Sequence, residues 1–499
     1  MHKTSMPKTT SAYSAGSRIR WPDTVAVFVV TALAVAGLYY WSAVPVLYRL
    51  LLALVLIAVS GEVLIRRNGF ARLTSGLYMA RSRLGLKRMD EISRSHPEFW
   101  VALADWGLVM GFGLLSIVLF RKDLSKKSVI FGAVSIAFIL IVIVPQTLLA
   151  FPFLNIPGLT SRLQGAGFAP GISQLTPVTA VLYGLSVVAG MVFYLVALLA
   201  INAGSVVYGL IVALVGLVNT GAANLSVVSN SIPGVAPVIP GLTIPLVAGI
   251  LAFAVVVIPH EFSHGILARI SKIRVKSSGL LMYGIIPVGA FVEPEEEKVA
   301  KLKRQAQNRI SAAGVSANML LAIILVVPVL LMYFYVMPHF NQSYMYIGYV
   351  VPNSPAADSN VSSGAAITAL NGHPVNNITS FVAAASMDRP NTTVTLTAGN
   401  VTHVMRTNST GKVGIGVYQG TRPIGGDIGG FASFVYSFLA LAFMLSLFVA
   451  IVNYLPLPGF DGWRIFYSSV KNKMVVNYIA AFVILIIVLN ILPWIWILL

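Results

Sequence analysis

The sequence predicts a polytopic α-helical membrane protein, interrupted late in the chain by a small β-rich domain that faces outward. Three observations carry that expectation. Of 499 residues, 57% are apolar and only 10% charged, against about 25% charged in ordinary soluble domains. The apolar residues gather in runs of about 20, the length that crosses a bilayer as a helix. Residues 338–425 depart from this pattern. They are rich in Thr, Asn, Ser and Val, with alternating stretches such as Thr393-Val394-Thr395-Leu396-Thr397, the two-residue period of a strand.

The apolar runs lie near 24–43, 46–65, 100–120, 128–151, 178–200, 203–220, 241–268, 311–336, 431–456 and 474–498. The first 20 residues are polar and basic, and no small-residue cleavage site closes the run that follows. That run is therefore expected to be a membrane helix rather than a removed signal. Residues 66–98 are a polar link with eight Lys/Arg. The Gly- and Pro-rich stretch 153–177 is expected to be a loop or a re-entrant segment, and 221–245 holds too many Pro and Gly for a helix.

The net charge of +18 comes from Lys and Arg in the polar segments beside the apolar runs. This fits anionic membrane lipid as a partner, and no basic-aromatic module of the nucleic-acid-binding kind is present. There is no cysteine, so disulfides and thiolate metal ligands are excluded, and any metal site must use His and carboxylates. Nine Lys/Arg between residues 269 and 309 mark that stretch as cytoplasmic. Six Asn-x-Ser/Thr sequons, at Asn341, Asn360, Asn377, Asn391, Asn400 and Asn408, place the β-rich insert outside. On this count 241–268 runs inward, 311–336 outward and 431–456 inward. Six full spans before residue 221 would put a seventh sequon, Asn224, on the inner side, so one N-terminal run is expected to be re-entrant or one orientation signal misleading.

The chemistry concentrates in Ile258-Pro259-His260-Glu261-Phe262-Ser263-His264-Gly265. On a helix, positions i and i+4 share a face, so both imidazoles reach one ion. Glu261 follows the first His and stands where it can take a proton from the attacking water and return it to the leaving amine. Ionisable groups at membrane depth are costly and point to function. A catalytic zinc usually has three protein ligands. His2, His96, His339, His373 and His403 all lie in polar segments. Few acids lie in or beside apolar runs: Glu62, Asp105, Asp461 and Glu261 itself. Asp461 is favoured over Asp105. It follows Pro456, Pro458 and Gly459, which break the helix at the depth of the two histidines. Asp105, near the start of its run, is expected to snorkel or to pair with a basic residue.

These residues resemble the site-2 proteases, intramembrane zinc metalloproteases that cut transmembrane helices of other proteins. The resemblance covers roughly 235–499. His260-Glu261-Phe262-Ser263-His264 looks like the family's HExxH. Asn453 through Gly462 looks like its Asn-x-x-Pro-x-x-x-x-Asp-Gly, which implies Asp461 as third ligand to one zinc ion per chain. Ala313-Gly314-Val315-Ser316-Ala317-Asn318 looks like the segment opening the next core helix, and Pro240-Gly241 fits the approach to the first. The resemblance implies that Asn318 and Asn453 bind substrate backbone or the developing oxyanion, where an amide donor is worth roughly 3 kcal/mol. The plainer role for either is an interhelical hydrogen bond, about 1 kcal/mol in a membrane. It also implies a membrane-associated hairpin over residues 273–293, whose edge would hold an unwound substrate extended. The acids Glu293, Glu295, Glu296 and Glu297 are expected to form a solvated face.

The insert resembles a PDZ domain in Val351-Pro352-Asn353-Ser354-Pro355-Ala356-Ala357 and in Ala366 through Val375, with Tyr346-Ile347-Gly348-Tyr349 as the peptide-end loop. Gly364-Ala365 stands where such domains usually have Gly-Asp. The expected organisation is an N-terminal transmembrane region (1–235), a first protease part (236–337), the PDZ-like domain (338–425) and a second protease part (426–499). The expected location is the plasma membrane, with the active site toward the cytoplasm. A transmembrane protein is the expected substrate, and a peptide the expected ligand of the PDZ-like domain. The competing classes are a membrane zinc protease of another family and a non-catalytic helical transporter or scaffold. The former would need a further His or Glu ligand downstream, yet no Glu follows residue 297.

Overall fold

A computed structural model describes residues 20–41, 43–120, 124–147, 177–220, 238–241, 243–351, 354–386, 388–424 and 426–493. The apolar runs within it are helices: α1 (Trp21–Tyr40), α2 (Val46–Asn68), α4 (Pro97–Phe112), α5 (Lys126–Phe138), α6 (Pro177–Thr220), α7 (Leu246–Ile270), α8 (Arg304–Leu331), α10 (Gly426–Asn453) and α12 (Lys473–Ile491), while α3 (Leu86–Ser95) is short and polar. Among the described residues, eight helical stretches are long and apolar enough to cross a membrane. The expected loop at 153–176 and the sequon at Asn224 lie outside the described residues.

The expected break between 200 and 203 is absent. Residues 177–220 form one element whose interruption is Gly190, at φ 84°. Asn202-Ala203-Gly204 contains no proline, and the Asn202 amide is satisfied by Asn490 Oδ1 at 2.8 Å on α12. Gly190 is different because α6 there crosses α4 so closely that a Cβ would lie 2.0 Å from the Gly111 carbonyl oxygen.

Three helices are buried on all sides over part of their length: α4 from Ala104 to Phe112, α8 from Ile310 to Met319 and α10 from Ala440 to Leu447. All-round burial marks the centre of a bundle. Small residues set the spacing, as they do between membrane helices. A Cβ on Gly107 would lie 1.7 Å from Ser316 Oγ, and one on Gly111 would lie 2.5 Å from the Tyr454 ring. Thus α4, from the half of the chain without a recognisable motif, packs directly on the helices that carry the motifs.

The hairpin expected at 273–293 is present as β3 (Val275–Tyr283) and β4 (Ile286–Pro294), turning at Gly284 with φ 58°. It is half of a larger antiparallel sheet. The polar link 66–98 supplies β1 (Ala71–Thr74) and β2 (Leu77–Ser82), giving the order β1-β2-β3-β4 with β4 at the edge. Gly279 permits the join, since a Cβ there would lie 2.1 Å from the Ala80 carbonyl oxygen. The same link then forms α3, which lays Leu86, Met89 and Ile92 in a small core with Phe262, Ile266 and Leu267 of α7.

The insert is a six-stranded sheet with its own core. Its strands are β5 (Asn341–Val350), β6 (Ala366–Leu370), β7 (His373–Pro374), β8 (Thr393–Ala398), β9 (Val401–Arg406) and β10 (Ile415–Pro423), in the path β10-β5-β6-β8-β9 with β7 on β6, accompanied by helix α9 (Ile378–Ala385). The expected loop Tyr346–Tyr349 is instead the middle of β5. Met345 and Ile347 point into the core while Tyr344 and Tyr346 point out, and β10 pairs along the whole strand. That two-residue alternation commits the segment to a strand. Asn360, Asn377, Asn391, Asn400 and Asn408 are all exposed.

Candidate metal centre

Helix α7 runs unbroken through Pro259, which cannot donate a backbone hydrogen bond. Ser263 Oγ donates to the Pro259 carbonyl at 2.7 Å. One turn apart, His260 and His264 present their rings side by side, with centroids 5.0 Å apart. Asp461 comes to them from a separate segment. After α10 ends at Asn453, Pro456 and Pro458 prevent a regular helix, Gly459 turns at φ 97°, and α11 (Asp461–Ser469) begins at the aspartate itself. Two anchors hold this segment. Buried Tyr454 donates its hydroxyl to the Gly107 carbonyl of α4 at 2.5 Å. Asn308 of α8 accepts from Ser468 Oγ at 2.5 Å and donates to Ser469 Oγ at 3.1 Å.

The result is a buried group in which Asp461 Oδ2 lies 3.3 Å from Nε2 of both histidines. One ligand atom from each of the three residues lies within 4.8 Å of the others. Among the described residues it is the one group of three His, Asp or Glu side chains close enough to share an ion.

Several features fit a metal. Asp461 Oδ2 is buried yet has no hydrogen-bond partner, which is costly unless a cation completes it. His264 Nδ1 lies 2.7 Å from the Ile310 carbonyl, which can only accept. The ring proton is therefore on Nδ1, and Nε2 keeps its lone pair for a metal. One carboxylate and two imidazoles suit zinc. Glu261 sits between α7 and the edge strand, its Oε2 accepting from the Val292 N–H at 3.1 Å.

The other sequence candidates are placed as follows. Asp105 is bound by Arg309 through two hydrogen bonds of 2.7 Å, the pairing expected of it, and is absent from the metal group. Asn318 is fully buried with Nδ2 3.2 Å from His260 Nδ1. Asn453 donates to the Val449 carbonyl one turn back in its own helix, at 2.9 Å. Glu293 departs from the expected solvated face. It pairs with Arg81 of β2 at 3.1 Å and accepts from Ser277 Oγ at 2.7 Å, because β2 joined the sheet beside it.

Sequence reasoning named Gly314 within the segment 313–318 but gave it no role of its own. A Cβ there would lie 2.4 Å from His264 Nε2 and 2.6 Å from His260 Nε2, so α8 forms the wall of the metal group with bare backbone. Tyr454 and the pair Gly265–Met89, where a Cβ would come 2.6 Å from the Met89 sulfur, were also unforeseen. One signal was available: Gly107-Leu108-Val109-Met110-Gly111 is a small-xxx-small pattern in an apolar helix, which marks close helix approach.

Comparison with known proteins points the same way. Residues 248–493 match the family model of Peptidase family M50. An uncharacterized protein of Methanocaldococcus jannaschii is 30% identical over 238 residues, which span 47% of this chain and 60% of that protein. Residues 248–493 contain all three members of the metal group, Glu261 and Asn318.

Proposed function

We propose that this protein is an intramembrane zinc endopeptidase of the site-2 protease type. The buried His260–His264–Asp461 group, with Glu261 next to it on α7, carries that reading. The match to Peptidase family M50 and the eight apolar helices support it. When bound, zinc would supply Lewis-acid polarisation of the scissile carbonyl and make water nucleophilic near neutral pH. His260, His264 and Asp461 would hold it. Glu261, kept in place by the Val292 N–H, takes the proton of the attacking water and returns it to the leaving amine.

The substrate in this reading is a transmembrane segment of another protein, cut near the cytoplasmic face. Its helix must unwind before a carbonyl is open to attack. Strand β4 is an edge, so an extended substrate laid along it brings carbonyls toward Glu261. Asn453, half-buried at the end of α10, is the residue we assign to substrate backbone. In this reading α7 starts on the outer side and runs inward. The basic stretch 269–309 is then cytoplasmic, and the β-rich domain, which we assign as PDZ-like and peptide-binding, is outside the plasma membrane. We further assign 236–337 and 426–499 as the two protease parts, with 1–235 as the N-terminal region.

The test is zinc content and cleavage of a transmembrane reporter by the wild type and Glu261→Gln. Zinc should stay stoichiometric while cleavage falls about 10²–10⁴-fold, the usual contribution of a general base. A variant that cleaves normally removes Glu261 from the mechanism.

A further inference from the structure

The two histidines of the metal group are held from behind in different ways. Behind His264 stands a backbone carbonyl, which can only accept a proton. Behind His260 stands the Asn318 amide, whose orientation offers either a donor or an acceptor. As placed, Nδ2 faces His260 Nδ1 at 3.2 Å, and Asn318 Oδ1 is buried with no partner. That arrangement suits a His260 ring with its proton on Nε2, where Asp461 Oδ2 lies 3.3 Å away. It does not suit a metal at Nε2, which needs a lone pair there and the proton on Nδ1. Turning the amide over exchanges two atoms of nearly equal size and brings the orphaned oxygen onto the ring.

We propose that Asn318 is a positioning residue that sets the tautomer of His260: its Oδ1 accepts the Nδ1 proton, which directs the Nε2 lone pair to the metal. The inference rests on the zinc reading above. It gives Asn318 a task different from holding the oxyanion. Both histidines then have their Nδ1 protons received by α8, at Ile310 and at Asn318, two turns apart on that helix. Helix α8 accordingly walls the site with Gly314 and sets the tautomer of both imidazole ligands.

Imidazole ¹⁵N chemical shifts distinguish the two tautomers directly. In the zinc-loaded wild type, both His260 and His264 should show a protonated Nδ1. Asn318→Asp, which can only accept, should keep zinc affinity within a few-fold. Asn318→Leu should lower it about 10–100-fold, the usual cost of losing such a partner, with the largest change of Co²⁺ visible spectrum among the three proteins. A wild-type His260 with its proton on Nε2 overturns the proposal on the folded native protein alone. So does an Asn318→Leu protein that holds zinc as tightly as wild type but has lost cleavage, which would assign Asn318 to the substrate. A wild type that binds no zinc would instead overturn the underlying metal reading.

Discussion

The sharpest consequence of the structure concerns a methyl group. Gly314→Ala adds a Cβ 2.4 Å from His264 Nε2 and 2.6 Å from His260 Nε2. Ordinary contact begins near 3.4 Å, so at least 3.4 − 2.4 = 1.0 Å of separation must be recovered. The helix cannot yield easily, because α8 is buried on all sides from Ile310 to Met319. The rings cannot rotate away without giving up the Ile310 and Asn318 contacts. Metal–ligand distances tolerate about 0.2 Å, so a displacement of about 1 Å breaks the coordination. Zinc affinity should fall about 100-fold or more, on the scale by which misplaced groups lose function. Helix content should be unchanged, since alanine is the better helix former by about 1 kcal/mol. The assay is competition with a chromophoric chelator, beside circular dichroism and thermal unfolding of the metal-free protein. A Gly314→Ala protein with wild-type zinc affinity would refute the claim that bare backbone at this position is what admits the ion.

Two further predictions separate structure from chemistry. Asp105→Ala strands the Arg309 guanidinium, whose pair is bidentate at 2.7 Å and mostly buried; it should destabilise the protein by about 3 kcal/mol yet leave zinc stoichiometry intact, whereas Asp461→Ala should lose zinc, and the reverse pattern in the two zinc titrations would exchange their roles. Asn308→Ala releases Ser468 and Ser469 and so loosens α11; zinc affinity should drop several-fold through Asp461 while the unfolding temperature changes little, and an unchanged affinity would show that the Tyr454 anchor alone positions the aspartate.

Part of this was legible because its causes are local. The i, i+4 spacing of His260 and His264 needs only a helix, and the pairing of Asp105 follows from the cost of an isolated charge in an apolar run. The β-rich character of 338–425 follows from alternation along single strands. The residues that were missed act through distance in space. Nothing near Gly314 in the sequence says that two imidazoles will lie against it. Nothing in the basic link 66–98 says that β2 will pair with β3, about 200 residues later, and carry Arg81 to Glu293. The error at 178–220 had a similar origin. Polar Asn202 continues the helix because Asn490 satisfies it, while Gly190 interrupts the helix where it meets Gly111 on α4.

By itself, then, the sequence determined that the chain is a helical membrane protein with a β-rich insert, and that His260, Glu261 and His264 share one turn of helix. Those conclusions depend on composition and on periodicities of a few residues. Tertiary structure brought the favoured acid, Asp461, onto the histidines, and decided which face of α8 closes the site and which N-terminal segments complete the sheet. Each of these depends on close approach between segments far apart in the chain, where the missing Cβ of a glycine or the single lone pair of a carbonyl determines what fits.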